Sequence, residues 1–185
     1  MLEAGANAGI RSTAGRTPLM AAIARGHEAA FRALLKFSAA DLLDEQDVDG
    51  NTVLHHAIFG HQLKAANHLL RLELDFDAAN KVGDTPLHAA CREGLPSLVQ
   101  SLCALGCRVD VLNRAGEHPL HLAARHGFIE IVRCLCLAGG NTDTVDHRGV
   151  TPQVDAIKHG HNEIGQLLSK VKQVKKNTSY ERWTT

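Results

Sequence analysis

The chain reads as an all-α array of about five tandem helix–turn–helix units joined by β-turn or hairpin-like loops, and three observations predict it. A short motif recurs at Thr17-Pro18-Leu19-Met20, Thr52-Val53-Leu54-His55, Thr85-Pro86-Leu87-His88, His118-Pro119-Leu120-His121 and Thr151-Pro152-Gln153-Val154, spaced by 35, 33, 33 and 33 residues. Three further columns are filled in every unit. They are a glycine two residues before the motif (Gly15, Gly50, Gly83, Gly116, Gly149), an alanine five after it (Ala22, Ala57, Ala90, Ala123, Ala156) and a leucine seventeen after it (Leu34, Leu69, Leu102, Leu135, Leu168). Finally, hydrophobic residues make up 44% of 185 residues while aromatics make up 4%, so the core is aliphatic and built from small side chains.

Each element follows from its residues. The anchor Thr is an N-cap whose hydroxyl can accept an orphan N–H of the first turn. The Pro after it suits the first helical position, where its missing N–H costs nothing. Four of the five prolines occupy that column. A first helix of about nine residues should run to Gly26, Gly60, Gly94, Gly127 or Gly160, where glycine can take the positive φ that ends it. A second helix follows, with apolar residues at three-four spacing such as Ile131, Val132, Leu135 and Cys136. The stretch after it is polar and turn-like. Asp47, Asn80, Asn113 and Asp146 stand three residues before the glycine, where their side chains can bond the turn backbone.

Thr-Pro-Leu-His, two small residues, Gly-His, an apolar pair with Leu-Leu, then Gly-Ala-Asx: this unit resembles the ankyrin repeat. Gly83-Asp84-Thr85-Pro86-Leu87-His88-Ala89-Ala90 and Arg148-Gly149-Val150-Thr151-Pro152 match it most closely, and the resemblance covers residues 1–169. It divides the chain into 1–14, the end of a truncated repeat and a first turn; 15–169, the array; and 170–185, a basic helical extension and disordered tail.

The departures carry expectations of their own. Gly60 falls one residue early, so His61 should take the left-handed conformation in that inter-helix turn. Two extra residues lie within Phe37–Asp47. Met1–Gly9 aligns with Leu135–Asp143, so the chain opens mid-repeat: a fragment or variant of a longer array is the favoured expectation, a poorly capped N-terminal face the alternative. Gln153, Asp155, Gly165 and Ser169 replace apolar residues, as a polar terminal cap requires. The last helix should continue some two turns past the array, with disorder beyond Asn177 and Tyr180 and Trp183 exposed.

Charge and chemistry narrow the function. Lys plus Arg equal Asp plus Glu at 20 each, with +4 in Lys170–Thr185 and −4 elsewhere, so no phosphate-tracking surface is supplied and no nucleic acid is expected. No run approaches the about 20 apolar residues of a membrane span, and no secretory signal is visible at Met1. The cytosol or nucleus is the expected compartment. Twelve histidines invite a metal reading, yet His55, His88 and His121 share one repeat column. The resemblance implies that this column is structural, with the ring bonding turn backbone and linking neighbouring units. Histidines one unit apart cannot share zinc at about 2.0–2.1 Å. Cys103 and Cys136 hold equivalent positions and should be core, Cys91 sits in a small-residue column, and Cys107 and Cys134 should be partly exposed. Phosphate-loop, nucleophile-elbow and zinc-protease motifs are missing. Neither catalytic residues, metal nor cofactor are assigned.

What the resemblance implies is a monomeric module that binds another protein or peptide on the concave face made by turn tips and first helices. Its candidate contacts are His56, Phe59, Arg92, Glu93, Arg114, Glu117, Leu122, Arg125, His126, His147 and Arg148. Arg114, Arg125, His126, His147 and Arg148 would form a positive patch for an acidic or phosphorylated segment. The alternative is a scaffold segment of a larger signalling protein or enzyme.

Overall fold

The computed structural model describes residues 9–37 and 43–181. Among the described residues ten helices follow one another in pairs: α1 (Pro18–Ala24) and α2 (Glu28–Phe37), α3 (Val53–Phe59) and α4 (Leu63–Leu69), α5 (Pro86–Arg92) and α6 (Pro96–Ala104), α7 (Pro119–Arg125) and α8 (Ile129–Leu137), α9 (Pro152–Lys158) and α10 (Asn162–Glu181); the second helix is the longer in every pair but α3–α4, where both have seven residues. No strand occurs among the described residues. The first helices have seven residues and stop short of the expected glycines, because a reverse turn intervenes before the second helix. That turn closes through pairs such as Gly26 N–H to Ile23 O (2.9 Å) and His27 N–H to Ala22 O (2.9 Å). Backbone contacts divide the chain into two compact units, Met1–Ala89 and Ala90–Thr185, with the division inside α5.

The anchor does what its chemistry allows. Thr17 Oγ1 accepts from Met20 N–H and Thr151 Oγ1 from Val154 N–H, each at 3.3 Å. Where the fourth anchor residue is His, its ring joins in. Nδ1 of His55, His88 and His121 accepts the N–H of Thr52 (3.3 Å), Thr85 (3.2 Å) and His118 (3.1 Å), a capping box with imidazole in place of the usual carboxylate. The turns are built as their Asx residues predict. Asp47 Oδ1 accepts from Asp49 and Asn51, Asn80 Oδ1 from Val82 and Asp84, Asn113 Oδ1 from Ala115 and Glu117, and Asp146 Oδ1 from Arg148 and Val150, all within 2.8–3.1 Å.

Within each unit, neighbouring repeats are joined at two levels. In Met1–Ala89, Val48 N–H donates to Ala14 O (3.0 Å) and Lys81 N–H to Asp49 O (2.8 Å), and His55 Nε2–H reaches Asp84 O (3.0 Å). Ala90–Thr185 repeats the scheme: His147 N–H donates to Ala115 O (3.1 Å), and His121 Nε2–H to Val150 O (3.1 Å). Below these bonds lies the aliphatic core: Met20, Ile23, Leu54, Ile58 and Leu69 in the first unit, Leu98, Leu102, Leu120, Ile131 and Leu135 in the second.

His61 takes φ 51° in the α3–α4 turn, as the early glycine predicts. α10 runs to Glu181, past Asn177, since no Gly or Pro interrupts its last turns. The partial first repeat falls in residues 1–8, the insertion within Phe37–Asp47 falls largely on 38–42, and Trp183 lies among 182–185. These expectations lie outside the described residues, as does the side chain of Tyr180.

Two glycines isolate the strain of this packing. Gly94 (φ +68°) and Gly160 (φ +84°) close equivalent turns, but a Cβ on Gly94 would stand 2.6 Å from the Phe128 ring, whereas one on Gly160 meets nothing within 4 Å. Gly160→Ala should cost only the left-handed strain, about 1 kcal/mol. Gly94→Ala should cost about 2 kcal/mol more, because Phe128 must move as well. Urea titration of both variants measures the difference.

Candidate protein-binding surface and its buried ionic support

Each turn ends one residue before an anchor helix, so turn tips and first helices are placed together by the same Asx and Thr capping bonds. In Ala90–Thr185 this brings five charged residues into one network. Arg125, the last residue of α7, donates from Nε to Asp155 Oδ2 (2.8 Å) and from Nη2 to both Asp155 Oδ2 (2.7 Å) and Glu117 Oε1. Arg148, on the tip before α9, donates from Nε and Nη2 to Asp146 Oδ2 (2.8 and 2.7 Å). Its Nη2 also lies 3.4 Å from Asp155 Oδ2 and 3.9 Å from Glu117 Oε1. The side chains of Asp146 and Asp155 are 0% and 1% exposed, that of Arg148 56%.

Burial drives the Asp146 carboxyl upward, but the N–H groups of Val150 and Arg148 and the Arg148 guanidinium hold it below the ordinary carboxylate range. Burial works against the charge of Arg125 too, and the two carboxylates outweigh it. The expected positive patch is therefore largely neutralised from beneath. Two guanidinium groups face three carboxylates, and Arg125 acts first as a bridge between helices.

The structure relocates several candidate contacts. Arg114, His126, His147 and Arg148 are exposed, and Arg92, Glu93 and Arg125 are half-buried. Phe59, at the end of α3, is 38% exposed. Leu122, Glu117 and His56 are buried, at 1%, 7% and 5% exposed. Leu122 and His56 occupy the fifth anchor position, which faces inward in every unit where it is buried; Ala89 and Asp155 share it. Asp155, expected to be part of a polar outer cap, is instead the buried centre of the ionic network. A comparison of columns carries the signal. His56 and Asp155 both stand nine residues after a turn Asp, and His56 Nε2 donates to Asp47 Oδ2 at 2.9 Å in the same arrangement.

The thiols also differ from expectation. Cys107 is buried at 8% rather than partly exposed, because it closes the turn after α6 with its N–H on Leu102 O (3.3 Å). Cys103 and Cys136 are half-buried rather than core, and Cys91 is fully buried.

The bridging histidines are locked as neutral rings. His55 accepts at Nδ1 from Thr52, whose hydroxyl donates to it at 2.9 Å, and gives its only proton, on Nε2, to Asp84 O. Burial pushes His55 down to about 4. It likewise lowers His56, His118 and His121, against the raising effects of Asp47, Asp110 and the Val150 carbonyl.

A His held below its unfolded value near 6.5 contributes stability that is whole above that pH. The loss begins as pH falls through 6.5, because the unfolded chain takes up the proton first, and for His55 it continues to about pH 4. His55 alone accounts for about 3 kcal/mol over that span. The urea midpoint should therefore drop steeply from pH 7 to 4.5; a flat profile contradicts the locked rings. For the ionic network, Arg125→Ala leaves Asp155 buried without its main cation and should cost about 3 kcal/mol, while Asp155→Leu, which restores the residue type of Leu122, should cost about 1 kcal/mol or less.

Comparison with known proteins agrees with this architecture. The family model described as "Ankyrin repeats (3 copies)" matches residues 1–80, 43–113, 61–146 and 87–180. NF-kappa-B inhibitor alpha of Gallus gallus is 35% identical over 82 residues, 43% of this chain and 26% of that protein. Protein phosphatase 1 regulatory subunit 27 is 33% identical over 64 residues in Mus musculus (35% of this chain, 42% of that protein) and 33% over 57 residues in Homo sapiens (31% and 37%). The matches thus span less than half the length of each of these relatives. With family matches over nearly its whole length, the chain belongs to the ankyrin-repeat family.

Proposed function

We propose that this chain is a non-enzymatic protein–protein interaction module whose docking surface in Ala90–Thr185 combines the turn tips Arg114, His147 and Arg148 with the first-helix residues Arg92, Glu93, Arg125 and His126. The observation that carries this reading is the exposure of basic tips on a hydrogen-bonded turn backbone. His147 N–H is tied to Ala115 O beside Arg114, and Asp146 grips both the backbone and the side chain of Arg148. A surface ordered before binding loses little entropy when a partner arrives. Two relatives support the reading by name, one an inhibitor of NF-kappa-B and the other a regulatory subunit of protein phosphatase 1.

The partner is a protein or peptide presenting an acidic or phosphorylated segment. Arg114, His147 and the outer edge of Arg148 supply donors suited to its oxygens, and Arg125 holds the platform from below. In Met1–Ala89, Phe59 supplies an apolar contact of its own. The compartment is the cytosol or nucleus, and the chain acts as a monomer.

The test is a crosslinked pull-down from cell extract with mass spectrometry, comparing the chain with the double variant Arg114→Glu, Arg148→Gln. Glutamine at 148 avoids setting a new carboxylate against Asp146. Proteins captured by the unaltered chain should be recovered about tenfold less by the variant, and also less as salt is raised, while circular dichroism shows that the variant stays folded despite losing the Arg148–Asp146 pair. Equal recovery of the same proteins by both chains removes this surface from the account.

A further inference from the structure

One kind of groove occurs in both units, at equivalent residues. It lies where the inter-helix turn of one repeat meets the start of the second helix of the next. In Met1–Ala89 it is lined by Gly26 with Gln62, Leu63 and Lys64, and in Ala90–Thr185 by Gly94 with Phe128, Ile129 and Glu130. In the second unit the Phe128 ring covers the glycine and leaves a space of about 190 Å³. In the first unit Gln62 takes the place of that ring. Its amide lies 3.0 Å from where a Cβ on Gly26 would stand, and Nε2 donates to Gly60 O at 2.8 Å. Ala65 also stands where Ile131 does in the second unit, and the groove widens to about 350 Å³. An apolar space of about 150 Å³ accepts a benzene ring, and the two grooves differ by roughly that much.

The wider groove is also accessible. Ile23, Phe31 and Ala65 form a buried apolar floor, and Leu63, 38% exposed, forms a wall. The rim is polar and exposed, with His27, His61 and Lys64. Among the described residues His61 alone of the non-glycines has positive φ. It occupies the column of Gly26, so an imidazole lines the groove where other repeats place a hydrogen. The carboxylate of the rim, Glu28, is paired with Arg32 at 2.6 Å. Lys64 stands where the second unit has Glu130, so the edge of the wider groove carries the opposite charge.

The geometry points to a docking site in Met1–Ala89 for a partner polypeptide, one aromatic side chain of which enters the groove between Gly26 and Leu63 while an adjoining acidic residue pairs with Lys64. The incoming ring supplies from outside what Phe128 supplies from within the chain in the second unit. Sites for whole small molecules bury about 70–90% of the ligand. Here only the floor is buried, which suits a single side chain whose backbone passes along the rim. The site shares no residue with the tips of Ala90–Thr185.

The test titrates the peptide acetyl-Glu-Phe-Glu-amide into the isotopically labelled full chain and follows backbone amide shifts by NMR. Saturating shifts should centre on Gly26, His27 and Leu63. Acetyl-Glu-Ala-Glu-amide, which lacks the ring, should bind about tenfold more weakly. Gln62→Phe fills the groove with the ring type of Phe128 and should weaken the acidic aromatic peptide by about tenfold as well. Lys64→Glu, an exposed change, should lose preference for that peptide and gain it for acetyl-Lys-Phe-Lys-amide. No saturating shifts, shifts centred on Ala90–Thr185, or equal binding by the unaltered chain and both variants overturns the inference.

Discussion

A single imidazole bridging two repeats organises this molecule. In His55 and His121 one ring nitrogen receives the N–H at the start of its own helix, and the other gives its proton to a carbonyl of the following turn, at 3.0 and 3.1 Å. The bond does two things at once. It satisfies a helix-end donor that has no partner in the helix, and it sets the height of the next turn relative to the helix behind it. Everything at the surface inherits that spacing. The price is that the ring must stay neutral and dry, which is why the column pairs with small residues and aliphatic neighbours.

The repeat makes most of this legible in the sequence itself. Thr, Pro, Gly and Asx act through local backbone chemistry, so their columns read directly as caps, first turns and reverse turns, and even the displaced glycine announces the left-handed His61. The side-chain partners at the fifth anchor position are another matter. His56, Leu122 and Asp155 look like variable surface residues because their polarity differs from unit to unit, yet all three are buried. Their polarity is matched across the turn, His56 by Asp47 and Asp155 by Arg125 and Arg148. Such pairing is a property of three-dimensional neighbours, and no single column contains it. The same reason hid Cys107, whose burial follows from a turn closing over it.

The ionic network changes what the exposed arginines mean. A count of Arg and His residues on neighbouring units suggests a free positive field. In the structure the guanidinium groups are instead committed to buried carboxylates, with Arg148 alone of the pair offering much surface. Such commitment lowers the electrostatic reach of the patch but fixes its geometry. For recognition of a planar or tetrahedral anion, a fixed donor array is worth more than a mobile one. Burying an ion pair seldom adds stability over an apolar core. The retention of Asp155 where Leu122 stands one repeat earlier thus fits a role in orienting Arg125 and Arg148.

The neutral bridging ring is open to direct observation. Nitrogen-15 chemical shifts of His55 and His121, followed by NMR from pH 8 to 4, report which ring nitrogen carries the proton and where the ring charges. The account predicts the Nε2–H form in both, with His121 charging below pH 6.5 and His55 only at about pH 4. Rings protonated on Nδ1, or charging near pH 6.5 while the chain stays folded, would contradict it.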